Sequence, residues 1–315
     1  MVRASTHPTP ADPRIGGSAE GLTGDSEGTN KLQFATFGLQ MSVFCYLPVI
    51  ARGGGVNFLV SQLQLVSTTD LYYICQMVDG VTRDPGAYVR NVEDIFGDMS
   101  SSLLVQKYPK WTSFHVFVES LISSVIFDDV ERSGGSPGKY WIDYLLRSNS
   151  ISYSSVNPSD FDQYDGYEYL DALQQEDLVA EVCDTVSKQV FHVLFSNRGT
   201  MSAFGHMVSD YVLNAAPTFV PYAFNKAGYL LRAPIPTWAK SAVFHRDKGR
   251  CVLCQTNLTK LFSQQSQIHY DHILPLALGG MNCITNLQLT CSGCNLGKGA
   301  RSAATSREYE VWYDY

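Results

Sequence analysis

"YDHILPLALGG", residues 270–280, lies between two pairs of cysteines near the end of a 315-residue chain. An aspartate and a histidine stand side by side in an apolar run, and a proline and a double glycine follow. A plain core strand has no use for two adjacent ionisable groups, because burying either one costs free energy unless it is paired. "QIHYDHILPL" favours β structure up to Pro275, which cannot donate a ladder hydrogen bond. The stretch therefore reads as a strand ending near Asp271 and His272. Gly279 and Gly280 fall in the connection, and "NLQLTC" (286–291) reads as the returning strand.

The flanking cysteines give this unit its anchor. Cys251 and Cys254 are separated by two residues, and so are Cys291 and Cys294. That spacing lets a tight turn present two thiolates to one tetrahedral ion, and two such turns complete a four-sulfur zinc site. No coordination position remains for substrate, so the zinc is expected to be structural. Cys283 has no partner at ligand spacing and reads as a buried thiol. "SGCNLGKGARSA" then starts a helix whose first turn holds Cys294 and Asn295. The expected result is two strands and one helix pinned by zinc.

"RDKGRCVLC … YDHILPLALGGMNCITNLQLTCSGCNLGKGAR" resembles the HNH endonuclease family over about residues 240–301, with its ββα-metal, treble-clef-like core and paired zinc cysteines. The features that carry the resemblance are the Asp-His pair, the following proline, the Gly-Gly, the Asn-Leu opening the second strand, and the Cys-Asn-x-x-Lys of the helix. The resemblance implies His272 as general base, Asp271 and Asn295 as ligands of a catalytic divalent metal, and Asn286 as the residue that fixes the loop orienting His272. It also implies products with a 5′-phosphate and a 3′-hydroxyl. The first 230 residues resemble no family that their residues identify.

The residue types suit that chemistry. Phosphodiester hydrolysis needs an activated water, charge neutralisation on the phosphate and a stabilised leaving oxygen. A neutral imidazole serves as base near neutrality, and the oxygens of Asp271 and Asn295 suit a hard cation. The family often has histidine where Asn295 stands. An amide oxygen is a weaker ligand than imidazole for transition metals, so Mg²⁺ or Mn²⁺ is expected at the catalytic position. Neighbouring strand residues point to opposite faces, so Asp271 and His272 converge only if the strand twists or ends there. Lys298 and Arg301 are expected nucleic-acid contacts on a basic helix face. His269 shares strand parity with Asp271 and reads as an exposed histidine. His115, His192 and His206 fall on helical stretches and read as structural.

Charge divides the chain. Residues 240–301 hold Lys240, Arg246, Lys248, Arg250, Lys260, Lys298 and Arg301 against Asp247 and Asp271, a net of +5. The whole chain carries −7, which leaves −12 for the remainder. A basic module on an acidic body fits a polyanion, DNA or RNA, as partner of the module alone. The acidic body is a poor DNA reader and a reasonable surface for a protein partner.

Residues 1–30, rich in Gly, Pro, Ser and Thr, read as a flexible tail. "MVRASTHPTPADPRIGG" lacks the apolar core of a secretory signal. The uncharged run from Leu32 to Ala51 is interrupted by polar residues and Pro48 and reads as a buried segment rather than a membrane span. The run to about Val66 fits strands or short helices equally. Beyond it the pattern is helical: an apolar stripe from Trp111 to Ile126, a short helix in "KYWIDYLLRS", a long one from about Tyr167 to Phe195 capped by Gly199, and one from Met201 to Ala215 stopped by Pro217. "LRAPIPTW" (231–238) marks a boundary, after which Thr237 N-caps a helix closed by Gly249. Cys45, Cys75 and Cys183 are scattered singly and read as reduced thiols of a cytoplasmic protein.

The expected organisation is α+β: a tail (1–30), a mostly helical domain (31–232), a zinc-stabilised nuclease domain (237–305) and a C-terminal tail (306–315). The expected activity is DNA hydrolysis with structural Zn²⁺ and catalytic Mg²⁺ or Mn²⁺, in a restriction or antiviral defence setting. The rivals are a non-catalytic zinc-knuckle binding module and an RNA-cleaving or homing-type nuclease. Intact Asp271, His272 and Asn295 argue against the first of these.

Overall fold

Apolar residues recurring at three and four positions dictate the helices that dominate the described residues before 220. The computed structural model describes residues 70–88, 93–97, 100–259 and 267–306. The expected tail, the run from Leu32 to about Val66, Cys45, Lys260 and residues 307–315 lie outside the described residues. The first elements are α1 (Asp70–Arg83) and the short helices α2 (Glu93–Phe96) and α3 (Ser100–Leu104). α4 (Ser113–Arg132), α5 (Trp141–Ser148), α6 (Gly166–Gln175) and α7 (Leu178–Leu194) follow. After them come α8 (Arg198–Asn214), the short α9 (Ala216–Phe219) and α10 (Thr237–Arg246). The hairpin β1 (Ile268–His272) and β2 (Leu287–Cys291) leads into α11 (Ser292–Lys298).

α4 is more deeply placed than a single stripe implies. Phe114, Phe117, Ile122 and Ile126 are buried, and so are Ser120 and Ser123 between them. Small polar residues let neighbouring helices approach from several sides. Its N-terminus is closed by a reciprocal cap: the Thr112 hydroxyl accepts from the His115 backbone, and His115 Nδ1 accepts from the Thr112 backbone at 3.1 Å. The His115 ring is sandwiched between Trp111 and Phe191 at centroid distances of 4.3 and 4.2 Å.

Four helix boundaries depart from expectation. The long helix expected from Tyr167 to Phe195 is two helices, α6 and α7, broken at Asp177, whose φ is +58°. Aspartate tolerates the left-handed region better than most residues, and the break lets both helices pack on α4. Gly199 does not cap α7: it lies buried in the first turn of α8, and Asn197 is the N-cap, accepting from the Thr200 backbone at 3.2 Å. Pro217 opens α9 rather than merely ending α8. Thr237 is the first residue of α10 and makes no capping bond, the N-cap being Pro236. Gly249 does close that helix, donating to the Phe244 carbonyl at 2.9 Å with φ +62°.

The hairpin pairs antiparallel with Asp271 opposite Gln288 and His272 opposite Leu287. Its buried residues join the helical core: Phe204 and Val208 of α8 belong to one cluster with Ile273, Met281, Ile284, Leu287 and Leu289. Cys75 and Cys183 are buried free thiols, and burial pushes both pKa values up, that of Cys75 to about 11. Among the described residues, no helix is long and apolar enough to cross a membrane.

Candidate functional site

The two cysteine turns meet as their spacing implies. Residues 252–254 turn so that Gln255 donates to the Cys251 carbonyl at 2.8 Å, and Val252 donates to Leu289 of β2 at 3.0 Å. Cys291 ends β2 and caps α11, its sulfur accepting from the Cys294 backbone at 3.4 Å. The four Sγ atoms lie within 4.8 Å of one another, with Cys254 and Cys291 3.8 Å apart. A tetrahedral zinc with bonds of about 2.3 Å requires edges of about 3.8 Å, so the residues fit the ion. Cys283 stands outside this cluster, buried and hydrogen-bonded to the Thr285 hydroxyl.

A buried ionic knot ties the zinc turn to the helices. Asp247, fully buried at the end of α10, accepts from Arg246 Nε and Nη2 at 2.9 Å each and from Arg198 of α8 at 3.2 Å. It also accepts from the Leu289 backbone at 2.8 Å. Arg246 stacks over Phe195 and donates to the Leu287 carbonyl at 2.6 Å. These paired charges, bonded to the Leu287 carbonyl and the Leu289 backbone N–H, set where β2 runs.

The expected catalytic residues converge. Asp271 and His272 from the end of β1 and Asn295 from α11 line one cleft of about 440 Å³, together with Asn225, Tyr229 and Arg232. The parity difficulty resolves at the strand end: His272 is the last residue of β1, and Pro275 follows. His272 is 1% exposed at the floor of the cleft. Its Nε2 is 3.5 Å from the Tyr108 hydroxyl, and Nδ1 has no hydrogen-bond partner among the described residues. Burial, and then the charges of Arg232 and Lys298, push its pKa down to about 3 against a smaller opposing effect of the Asn282 side chain. The imidazole is therefore neutral at neutral pH.

The loop after His272 is held from inside. Asn286 accepts from the Leu274 backbone at 2.8 Å and donates to the carbonyls of Leu274 and Met281 at 2.9 and 3.0 Å. The double glycine has a steric reason. A Cβ on Gly280 would lie 1.9 Å from the Leu274 carbonyl oxygen and 2.8 Å from Asn286 Nδ2. Gly279, at φ +83°, packs against the Ser209 backbone of α8. These contacts answer what the stretch 270–280 is for: it turns the chain sharply enough to leave His272 at the cleft floor.

Two residues sit elsewhere than expected. Lys298 is turned inward, its side chain 1% exposed, with Nζ 2.9 Å from Asp271 Oδ2 and 2.6 Å from the His272 carbonyl oxygen. His269 is half-buried rather than exposed, and its Nδ1 accepts from Asn295 Nδ2 at 2.9 Å. That bond leaves Asn295 Oδ1 unspent. Asp271 Oδ2 also accepts from Gln288 at 2.9 Å, and no described residue engages its Oδ1. Two oxygens so oriented by their neighbours fit a hard divalent cation that draws its remaining ligands from water and substrate. Arg301 is exposed in the turn after α11 and does not line the cleft.

Sequence reasoning missed Tyr108, Arg232, Asn282 and Gln288. Gln288 was within reach, since hairpin register places it opposite Asp271. The other three approach from far along the chain or from within the loop, with no motif to mark them.

Residues 251–308 match the sequence model of the HNH endonuclease family. No curated protein and no solved structure matches the chain significantly. The matched segment holds the four cysteines, the hairpin and α11, and the match suggests a nuclease-type function.

Proposed function

We propose that the protein is a metal-dependent endonuclease that hydrolyses phosphodiester bonds of DNA in this cleft. The observation that carries the reading is the meeting of a neutral, buried imidazole with two oriented side-chain oxygens, Asp271 Oδ1 and Asn295 Oδ1, in one cavity. Asp271 and Asn295 would hold a divalent cation, Mg²⁺ or Mn²⁺ by the hardness of their oxygens, and the cation supplies charge neutralisation at the phosphate and the leaving oxygen.

The chain's own residues do the rest. His272 accepts a proton from the attacking water as the water oxygen bonds to phosphorus. The bond from phosphorus to the 3′ oxygen breaks, and protonation of that oxygen leaves a 3′-hydroxyl and a 5′-phosphate. Asn286 keeps the loop from drifting, so the imidazole meets water in one orientation. Lys298 and Gln288 hold one carboxylate oxygen of Asp271, which leaves the other directed to the metal. The acidic charge outside residues 240–301 supports a helical body that meets a protein regulator rather than nucleic acid, as a restriction or defence nuclease would require.

The test is cleavage of supercoiled plasmid by the zinc-loaded protein with Mg²⁺ or Mn²⁺, beside His272→Ala with its zinc intact. Wild-type cutting lost by at least about a hundredfold in the variant is expected of a general base. Equal cutting by both proteins refutes the assignment of His272. Cutting of single-stranded RNA but not of DNA would make the substrate RNA.

A further inference from the structure

We propose that Arg232, which lies outside the segment matching the family, is the residue that grips the DNA phosphate in this cleft. The inference rests on the nuclease reading of the same site and adds its phosphate-binding group. A phosphodiester entering the cleft needs a cation beyond the metal, and the two expected on the basic helix do not supply one. Lys298 is turned inward and spent on Asp271 and the His272 carbonyl. Arg301 does not line the cavity. Arg232 does line it, beside Asp271, His272 and Asn295, and makes no hydrogen bond or ion pair with any described residue. Its side chain is exposed. A planar guanidinium presents paired donors that match two phosphate oxygens at once, which an ammonium does not.

An exposed arginine on a proline-rich connection would ordinarily be a solvated charge. Here the backbone around it is clamped. Asn282, fully buried, donates from Nδ2 to the Leu231 carbonyl at 2.8 Å and accepts at Oδ1 from the Ala233 backbone at 3.0 Å. One buried amide thus pins the peptide groups on both sides of Arg232. The Asn282 carbonyl also receives the Tyr108 backbone N–H at 2.8 Å, so the clamp is itself fixed to the helical part. Asn282 stands two residues after Gly280, in the loop that Asn286 fastens behind His272. One loop therefore positions both the imidazole and the arginine. The stretch that leads into Arg232 is a tight turn in which Asn225 Oδ1 accepts from the backbones of Ala227 and Tyr229. It presents Tyr229 to the cleft, 39% exposed, as an apolar face for the sugar beside the gripped phosphate.

The test uses the full-length, zinc-loaded protein carrying His272→Ala, so that binding is read without cleavage. A fluorescein-labelled DNA duplex of about 20 base pairs is titrated by anisotropy between about 50 and 300 mM KCl with Mg²⁺ present. Adding Arg232→Ala is expected to weaken binding about tenfold at low salt and to lower the log–log salt slope by about one, while Arg232→Lys keeps the slope and recovers part of the affinity. A purely structural role would leave the slope unchanged. Identical binding and slope in the alanine variant overturn the proposal, and so does failure of the parent to bind the duplex. Plasmid cleavage on the native His272 background separates the two readings. Arg232-dependent binding without any wild-type cutting sinks the nuclease and leaves the phosphate grip standing. Wild-type cutting that is indifferent to Arg232→Ala does the reverse.

Discussion

Replacing Asp247 by alanine removes the carboxylate that bridges two buried guanidiniums in the ionic knot. Its side chain is 0% exposed, with Arg246 at 2% and Arg198 at 7%. The substitution removes the carboxylate that both arginines bind and strips the Leu289 backbone N–H of its acceptor. Breaking a buried pair from one side costs about 3–5 kcal/mol. An orphaned backbone donor costs about 1–3 kcal/mol, and the two effects overlap at the same carboxylate. A net loss of about 4 kcal/mol is expected, a large part of the 5–15 kcal/mol typical of a folded domain. The assay is urea unfolding of the zinc-loaded protein followed by tryptophan fluorescence, reading the midpoint at an unchanged slope. Adding Arg246→Met to the alanine variant removes the more deeply buried stranded charge and should recover at least about 1 kcal/mol. A loss below about 1 kcal/mol, or no recovery in the double variant, would refute the view that this knot holds β2 to the helices.

Gly280→Ala should destabilise the protein by about 3 kcal/mol, because its Cβ meets the Leu274 carbonyl and the Asn286 amide. Gly293→Ala, with open space around its Cβ, should be neutral or stabilising in the same melt. Chelating the zinc, or Cys291→Ser, should raise amide exchange sharply over residues 251–259 and 288–298 and spare α4 and α7. Uniform loosening of the chain would show the zinc to be no local anchor. Burial, then His192, lowers the pKa of His115 to about 4. The unfolded chain takes up that proton near pH 6.5, so stability attributable to His115 is full above that pH and falls on acidification toward pH 4. The loss at pH 5 is about 2 kcal/mol. His115→Gln should flatten the stability profile between those limits by about one proton, as measured by urea midpoints at several pH values.

Sequence by itself determined the parts whose logic is local. Two Cys-x2-Cys turns leave few uses but a tetrahedral ion, and a strand ended by Pro275 leaves Asp271 and His272 where the ladder stops. The hairpin, α11 and the cleft formed by Asp271, His272 and Asn295 were legible because rare side chains stand at short, chemically constrained spacings. Helix ends were less legible. The break at Asp177 looks in sequence like one polar residue in a continuing register, and Asn197 and Gly199 fit either the end of one helix or the start of the next. Only tertiary structure decided how Lys298 is spent, because its partners come from another element. It also decided that Tyr108, 164 residues before His272, lies beside the imidazole, and that Asn282 fastens the chain around Arg232. Such contacts arise when separate elements bury their apolar faces in one core, and a side chain's neighbours across that core leave no periodic mark on its own stretch of sequence.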